Sequence, residues 1–194
     1  MYRAAAVKAV ETKLDLLSSD LETRLKRMLE RAQIRFDGER IMLDGRDVSV
    51  EIGAPAISDL ASRLSTFAAV RTHMRDLQRR LGEHGGVVME GRDIGTAVFP
   101  DAEFKFFLDA DVEVRARRRY AELAAKQASI SFNEVLEQLR ERDVRDRERE
   151  LAPLKRADDA VLIDTTNLDA DQVVNEMKSR ILAGGNAGKG LKRN

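Results

Sequence analysis

Two short apolar runs, Phe104-Lys105-Phe106-Phe107-Leu108 and Ala160-Val161-Leu162-Ile163, show almost no alternation of polar and apolar residues. A strand with one wet face alternates with a period of two. A strand that does not alternate is expected to be covered on both faces, which is the situation of a parallel sheet. Helical patterns lie between and after these runs, from about Val112 to Lys126, from Phe132 to Glu150 and over residues 170 to 182. Strand–helix–strand order with buried strands predicts an α/β fold. Gly86-Val87-Val88-Met89 reads as a further strand entering the loop Glu90-Gly91-Arg92-Asp93-Ile94-Gly95-Thr96.

The first half has a different rhythm. Leu14, Leu17, Leu21, Leu25, Met28 and Leu29 step by three and four over a helical region of residues 4 to 32. Ser19-Asp20-Leu21-Glu22 has capping-box spacing, so a helix is expected to restart there. Ile34-Arg35-Phe36 and Ile41-Met42-Leu43, punctuated by Asp37-Gly38 and Asp44-Gly45, predict two short antiparallel strands. Residues 57 to 82 return to helix with a break near Ser65-Thr66. The Gly-, Asn- and Lys-rich tail from 184 to 194 is expected to be disordered.

Composition removes several classes of function. The 194 residues contain no Cys and two isolated His, which excludes disulfide frameworks, zinc clusters and thiol nucleophiles. No stretch is apolar enough to span a membrane or to act as a signal peptide, so a soluble, cytoplasmic protein is expected. The net charge of zero conceals a bias, because 25 of the 34 basic residues are Arg. Arg presents a planar fork suited to phosphate and carboxylate.

Ten of eleven residues from Arg140 to Glu150 are charged. Arg142, Arg145, Asp146 and Arg149 fall on one helix face. The run reads either as a solvated helix laced by Glu141–Arg145 and Asp143–Arg147 pairs, or as a face that holds an anion. Arg115, Arg118 and Arg119 form a second such face directly after a strand, with Ala116, Tyr120 and Leu123 expected to face the sheet. Arg-lined helices near the carboxyl ends of strands match the ligand crevice of an open α/β sheet. In the loop after the Val87 run, Arg92 and Asp93 supply an anion donor and an acceptor, or a local ion pair.

In this order the motifs resemble bacterial cytidylate (CMP) kinases. They are Gly91-Arg92-Asp93-Ile94-Gly95-Thr96 with Val98-Phe99-Pro100-Asp101-Ala102; Phe107-Leu108-Asp109-Ala110; Arg115 with Arg118-Arg119-Tyr120; Arg142-Asp143 with Arg145-Asp146 and Arg149; Ala152-Pro153-Leu154; and Ile163-Asp164-Thr165-Thr166. The resemblance runs from Tyr2 to about residue 182. It implies a P-loop nucleoside-monophosphate kinase fold, a parallel sheet flanked by helices, over residues 1–183. It places an acceptor lobe with a small antiparallel nucleotide-binding insert at 33–82 and a lid at 111–150. It implies transfer of the γ-phosphoryl group of ATP to CMP or dCMP with Mg²⁺, by a monomer that uses neither nucleic acid nor membrane. Arg3, Arg92 and Arg149 correspond to the clamp on the acceptor phosphate. Ser62, Arg71 and Asp93 correspond to the readers of cytosine. Arg142 and Asp146 correspond to contacts with the sugar and its phosphate. Arg115, Arg118 and Arg119 occupy the catalytic positions of the lid. No protein-held metal site is implied.

Two departures accompany the resemblance. The family opens with a strand and a phosphate loop of the form G-x-x-x-x-G-K-[ST], and none precedes Met1. The implied chain is therefore truncated at its N-terminus by roughly 30 to 40 residues, one strand–helix–strand unit, and lacks its first, central strand. A mis-assigned start and a deliberate fragment both fit. The 194-residue polypeptide is accordingly expected to be poorly stable and essentially inactive. Ile52-Gly53-Ala54 also stands where the family has Ile-Arg-Thr, so one acceptor-lobe Arg is missing. The alternatives are a non-catalytic CMP-binding remnant and a UMP or AMP kinase.

Overall fold

A computed structural model describes residues 1–125 and 130–188, in two compact units. The first comprises Met1–Arg92 and Asp146–Pro153, the second Asp93–Arg145 and the chain from Leu154.

In the first unit, helices α1 (Tyr2–Glu11) and α2 (Leu21–Arg31) precede a three-stranded antiparallel sheet of β1 (Ile34–Asp37), β2 (Arg40–Leu43) and β3 (Arg46–Asp47). A 3₁₀ turn (Glu51–Gly53) leads into α3 (Pro55–Leu64) and α4 (Ala68–Gly82). Helix α1 packs on α3 and α2 on α4. Ala4, Ala5 and Ala6 are fully buried, and their small side chains let the neighbouring backbones come close. Leu25, Leu29, Leu43, Val48, Leu64, Val70 and Met74 complete the core, each worth about 1.5–3 kcal/mol of apolar burial.

The expected helix restart is present, but its capping box is not. The Glu22 carboxylate accepts from the backbone N–H of Ala69, 2.6 Å away at the start of α4. The second expected turn, Asp44-Gly45, joins β2 to β3 with positive φ at both residues, the two-residue hairpin geometry. Asp44 also accepts from the N–H of Gln33 at 2.7 Å and pairs with Lys8 at 2.5 Å. These donors, the Gln33 amide first, hold its carboxyl below the usual range. The strand β3 has no signature of its own in the sequence.

The second unit holds a π-helical turn (Ile94–Val98), β4 (Phe106–Asp109), α5 (Val112–Ala125), α6 (Phe132–Glu148), β5 (Val161–Asp164) and α7 (Ala170–Gly188). The last turn of α6, from Asp146, is counted with the first unit. Strands β4 and β5 pair in parallel, with Phe106 opposite Val161 and Asp109 opposite Asp164. The α/β expectation with a parallel sheet therefore holds.

Four expectations are corrected. Leu108 and Leu162 are each about half exposed, so the sheet is not covered on both faces. Lack of alternation reports apolar composition, and a two-stranded sheet has too few neighbours to cover it. Residues 87–89 are irregular, with Val88 98% exposed; an isolated apolar run has no ladder partner among the described residues. The apolar stripe of α5 packs against α6, where Ala116 and Leu123 meet Val135. Tyr120 meets the ring of Phe132 edge-on at 6.2 Å. Phe132, Val135, Leu136 and Leu139 form the matching stripe on α6, which takes the place assigned to the sheet. Finally, α7 continues helical through Gly188, past the expected boundary at 183. Gly184 lies so close to Phe104 that a Cβ would sit 3.1 Å from the ring, which would have to give by a few tenths of an ångström to admit it. Residues 189–194 lie outside the described residues.

Candidate active site

The densest polar cluster of the first unit forms where the end of α6 meets the break between α3 and α4. Helix α6 ends at Glu148, and Arg149 follows it immediately. Its guanidinium is almost wholly buried, with the side chain 4% exposed. Nε donates to the carbonyl of Ala152 at 2.8 Å, and Nη1 donates to the hydroxyl of Ser65 at 3.3 Å. Ala152 adopts a left-handed backbone, φ 46°, which costs a non-glycine residue about 1–2 kcal/mol.

Asp146 is the counter-charge. One carboxylate oxygen lies 3.7 Å from Nη1 of Arg149, the other 3.2 Å from Nε of Arg92. The carboxylate is buried, whereas Arg92 is partly exposed. Guanidinium groups gathered at a carboxylate in this way have the chemistry to bind a phosphate as well. The Arg92–Asp93 ion-pair alternative does not describe Arg92, whose ion pair is with Asp146.

Ser65 links this cluster to α3 and α4. Its hydroxyl donates to the carbonyl of Ser62 at 2.7 Å, and its own carbonyl accepts from Nη1 of Arg71 at 3.2 Å. Ser62 is buried. Of the expected acceptor residues, Ser62, Arg71, Arg92, Asp146 and Arg149 are thus joined in one network. Arg3 donates to the carbonyl of Ile52 at 3.2 Å, which ties α1 to the 3₁₀ turn.

In the second unit, Asp93 is buried and opens the π-helical turn. Its carbonyl accepts from the N–H groups of Thr96, Ala97 and Val98, at 2.9 Å for Ala97. Arg142 lies one turn before Asp146 on α6 and is half-buried. Three of the α5 arginines differ in their surroundings. Arg115 donates to Asp143 at 2.7 Å and to the carbonyl of Ala110 at 3.0 Å. The Asp143–Arg147 solvated pair is therefore not formed as expected, because Asp143 turns into the α5–α6 contact. Arg118 donates to the carbonyls of Thr165 at 2.7 Å and Leu168 at 2.9 Å, so it clamps the segment after β5. Arg119 makes an exposed pair with Glu122 at 3.0 Å.

A model of the family described as cytidylate kinase matches residues 1–182. The chain belongs to the cytidylate kinase family. It is 43% identical to a cytidylate kinase of Carboxydothermus hydrogenoformans over 178 residues, covering 90% of this chain and 79% of that one. Identity to a cytidylate kinase of Caldanaerobacter subterraneus subsp. tengcongensis is 44% over 181 residues, covering 93% and 80%. Identity to a cytidylate kinase of Syntrophotalea carbinolica is 47% over 181 residues, covering 91% and 76%. Cytidylate kinases are phosphotransferases of the nucleoside-monophosphate kinase class, and this chain is one by family.

For a cytidylate kinase, two features of the network were not legible as site residues. Ser65 reads in the sequence as helix punctuation, and Ala152 as part of a loop motif. Among the described residues no group of three or more His, Asp or Glu converges to hold a metal ion. No helix among them is long and apolar enough to cross a membrane.

Proposed function

We propose that this cytidylate kinase binds CMP or dCMP as phosphoryl acceptor through the Arg92–Asp146–Arg149 cluster and its Ser65 link. The observation that carries the reading is the buried Arg149, held on two sides by protein oxygens and paired with the Asp146 carboxylate that Arg92 also meets. A guanidinium fixed in this way binds phosphate without paying for its own ordering. Arg3 joins Arg92 and Arg149 on the phosphate, and Arg142 and Asp146 serve the sugar and its phosphate. Ser62, Arg71 and Asp93 read the base, because a carboxylate accepts from the exocyclic amine of cytosine and uracil offers none.

Phosphoryl transfer is chiefly positioning and charge stabilisation, and Arg115, Arg118 and Arg119 are the lid groups in place for it. ATP is the donor, and kinases that use it work with Mg²⁺. The described residues offer no carboxylate cage for that ion, so no step is assigned to protein ligands of it. No part of the 194 residues has the spacing G-x-x-x-x-G-K-[ST].

Titration calorimetry with single nucleotides tests the reading. CMP should bind at least about tenfold more tightly than UMP, the worth of one specific hydrogen bond to a charged group. Equal affinity for CMP and UMP would refute the base assignment.

A further inference from the structure

We infer that Ser65 is a positioning residue of the acceptor site, whose hydroxyl sets the plane of the Arg149 guanidinium. The inference rests on the acceptor reading above and extends it to a residue that reading does not use. Ser65 and Thr66 both stand at the end of α3, and both hydroxyls donate back to a carbonyl three residues earlier, at 2.7 and 2.8 Å. That bond alone is an ordinary way to finish a helix. What separates the two residues is the far side of the oxygen. Thr66 is part of the helix end and no more, whereas the Ser65 oxygen also accepts from Arg149, 84 residues away in the chain.

The direction of the hydroxyl is settled by its single proton. That proton is used on the Ser62 carbonyl, so the lone pairs of the oxygen are what Arg149 meets. Arg149 is consequently gripped from two sides, at Nε by Ala152 and at Nη1 by Ser65. A planar group held at two of its nitrogens cannot rotate about its long axis. The carbonyl of Ser65 meanwhile receives Arg71, an assigned base reader. One buried residue thus touches an arginine of the phosphate clamp through its side chain and an arginine of the base site through its backbone. Removing the hydroxyl acts on the first and spares the second.

This separation gives the test. CMP and cytidine share the base and sugar, and only CMP carries the phosphate. In calorimetry, Ser65→Ala should weaken CMP about five- to tenfold, the worth of one ordinary hydrogen bond, and change cytidine less than about twofold. Thr66→Ala, which removes the equivalent helix-end bond, should leave CMP affinity unaltered. If Ser65→Ala does not fold, Ser65→Thr and Ser65→Val replace it as a near-isosteric pair, and the threonine variant should bind CMP about fivefold more tightly. Equal weakening of CMP and cytidine, or unchanged CMP binding, overturns the inference while the acceptor reading stands. A folded, unaltered chain that does not bind CMP overturns both.

Discussion

Replacing Asp146 by Asn removes one negative charge and keeps the outline of the side chain. The carboxylate is buried between Arg149 at 3.7 Å and Arg92 at 3.2 Å. The shorter contact is not the stronger one. Arg149 is 4% exposed, and at an effective dielectric constant of about 20 its attraction to Asp146 is about 4–5 kcal/mol. Arg92 is 39% exposed, and water screens its attraction to about 1–1.5 kcal/mol. Against these losses, Asn returns one hydrogen-bonding oxygen and avoids the several kcal/mol needed to bury a carboxylate. The net destabilisation expected is about 2–4 kcal/mol, somewhat less than the loss of one partner from a fully buried pair. For a chain of this size that corresponds to a fall of roughly 5 to 12 °C in the unfolding midpoint. Circular dichroism melts read it directly. A double-mutant cycle adds the sharper comparison: Asp146→Asn should couple more strongly to Arg149→Gln than to Arg92→Gln. A midpoint within about 2 °C of the unaltered chain, or a stronger coupling to Arg92, would show that burial does not govern this cluster.

Two further outcomes follow from the second unit and from α4. Arg118→Met removes the guanidinium donor from the carbonyl of Thr165, which keeps the N–H of Leu168, and from that of Leu168, and should cost about 1–3 kcal/mol in urea unfolding, whereas Arg119→Met, which breaks an exposed pair, should cost under about 1 kcal/mol; equal costs would remove the structural role given to Arg118. His73 has its pKa lowered by partial burial first and by Arg80 second, against the opposing pull of Asp76 and Glu30. The folded state thus takes up the proton less readily than the unfolded chain, so this contribution is complete above about pH 6.5 and is lost as pH falls through the lower folded value. His73→Gln should therefore flatten the decline in melting midpoint between about pH 7.5 and 5.5. An unchanged decline would place the sensitive group elsewhere. Carboxylates such as Asp44 and Asp164, whose pKa values are lowered by hydrogen bonds, act only below about pH 4.

What the sequence disclosed was whatever local rules govern. The Asp44-Gly45 turn, the break at Ser65-Thr66 and the spans of α5 and α6 follow from turn chemistry and periodicity, and they stand where expected. The charged run of α6 was legible as a shared face, because Asp146 and Arg149 are three apart. Which of its members turn inward was not. Asp143 leaves its neighbour on the helix for Arg115, 28 residues away, and Glu22 leaves its capping box for Ala69. Both choices depend on which helices pack together, and spacing carries no information about that. The Val87 run misled for the opposite reason: apolar β-branched residues mark a strand only where another strand is available to pair with them.

The Glu22–Ala69 bond also bears on the order in which the chain takes shape. The first turn of α4 receives a donor's partner from a residue 47 positions earlier. That partner is already synthesised when the α4 segment emerges. The helix that carries Arg71 therefore does not set its own beginning; it acquires its starting point by docking. In an isolated peptide of residues 68–82 the cap is gone, and fifteen residues sit at the margin of helix stability in water. A nascent chain that stalls before α2 has formed would leave the start of this helix, and with it the arginine beside Ser65, without its anchor.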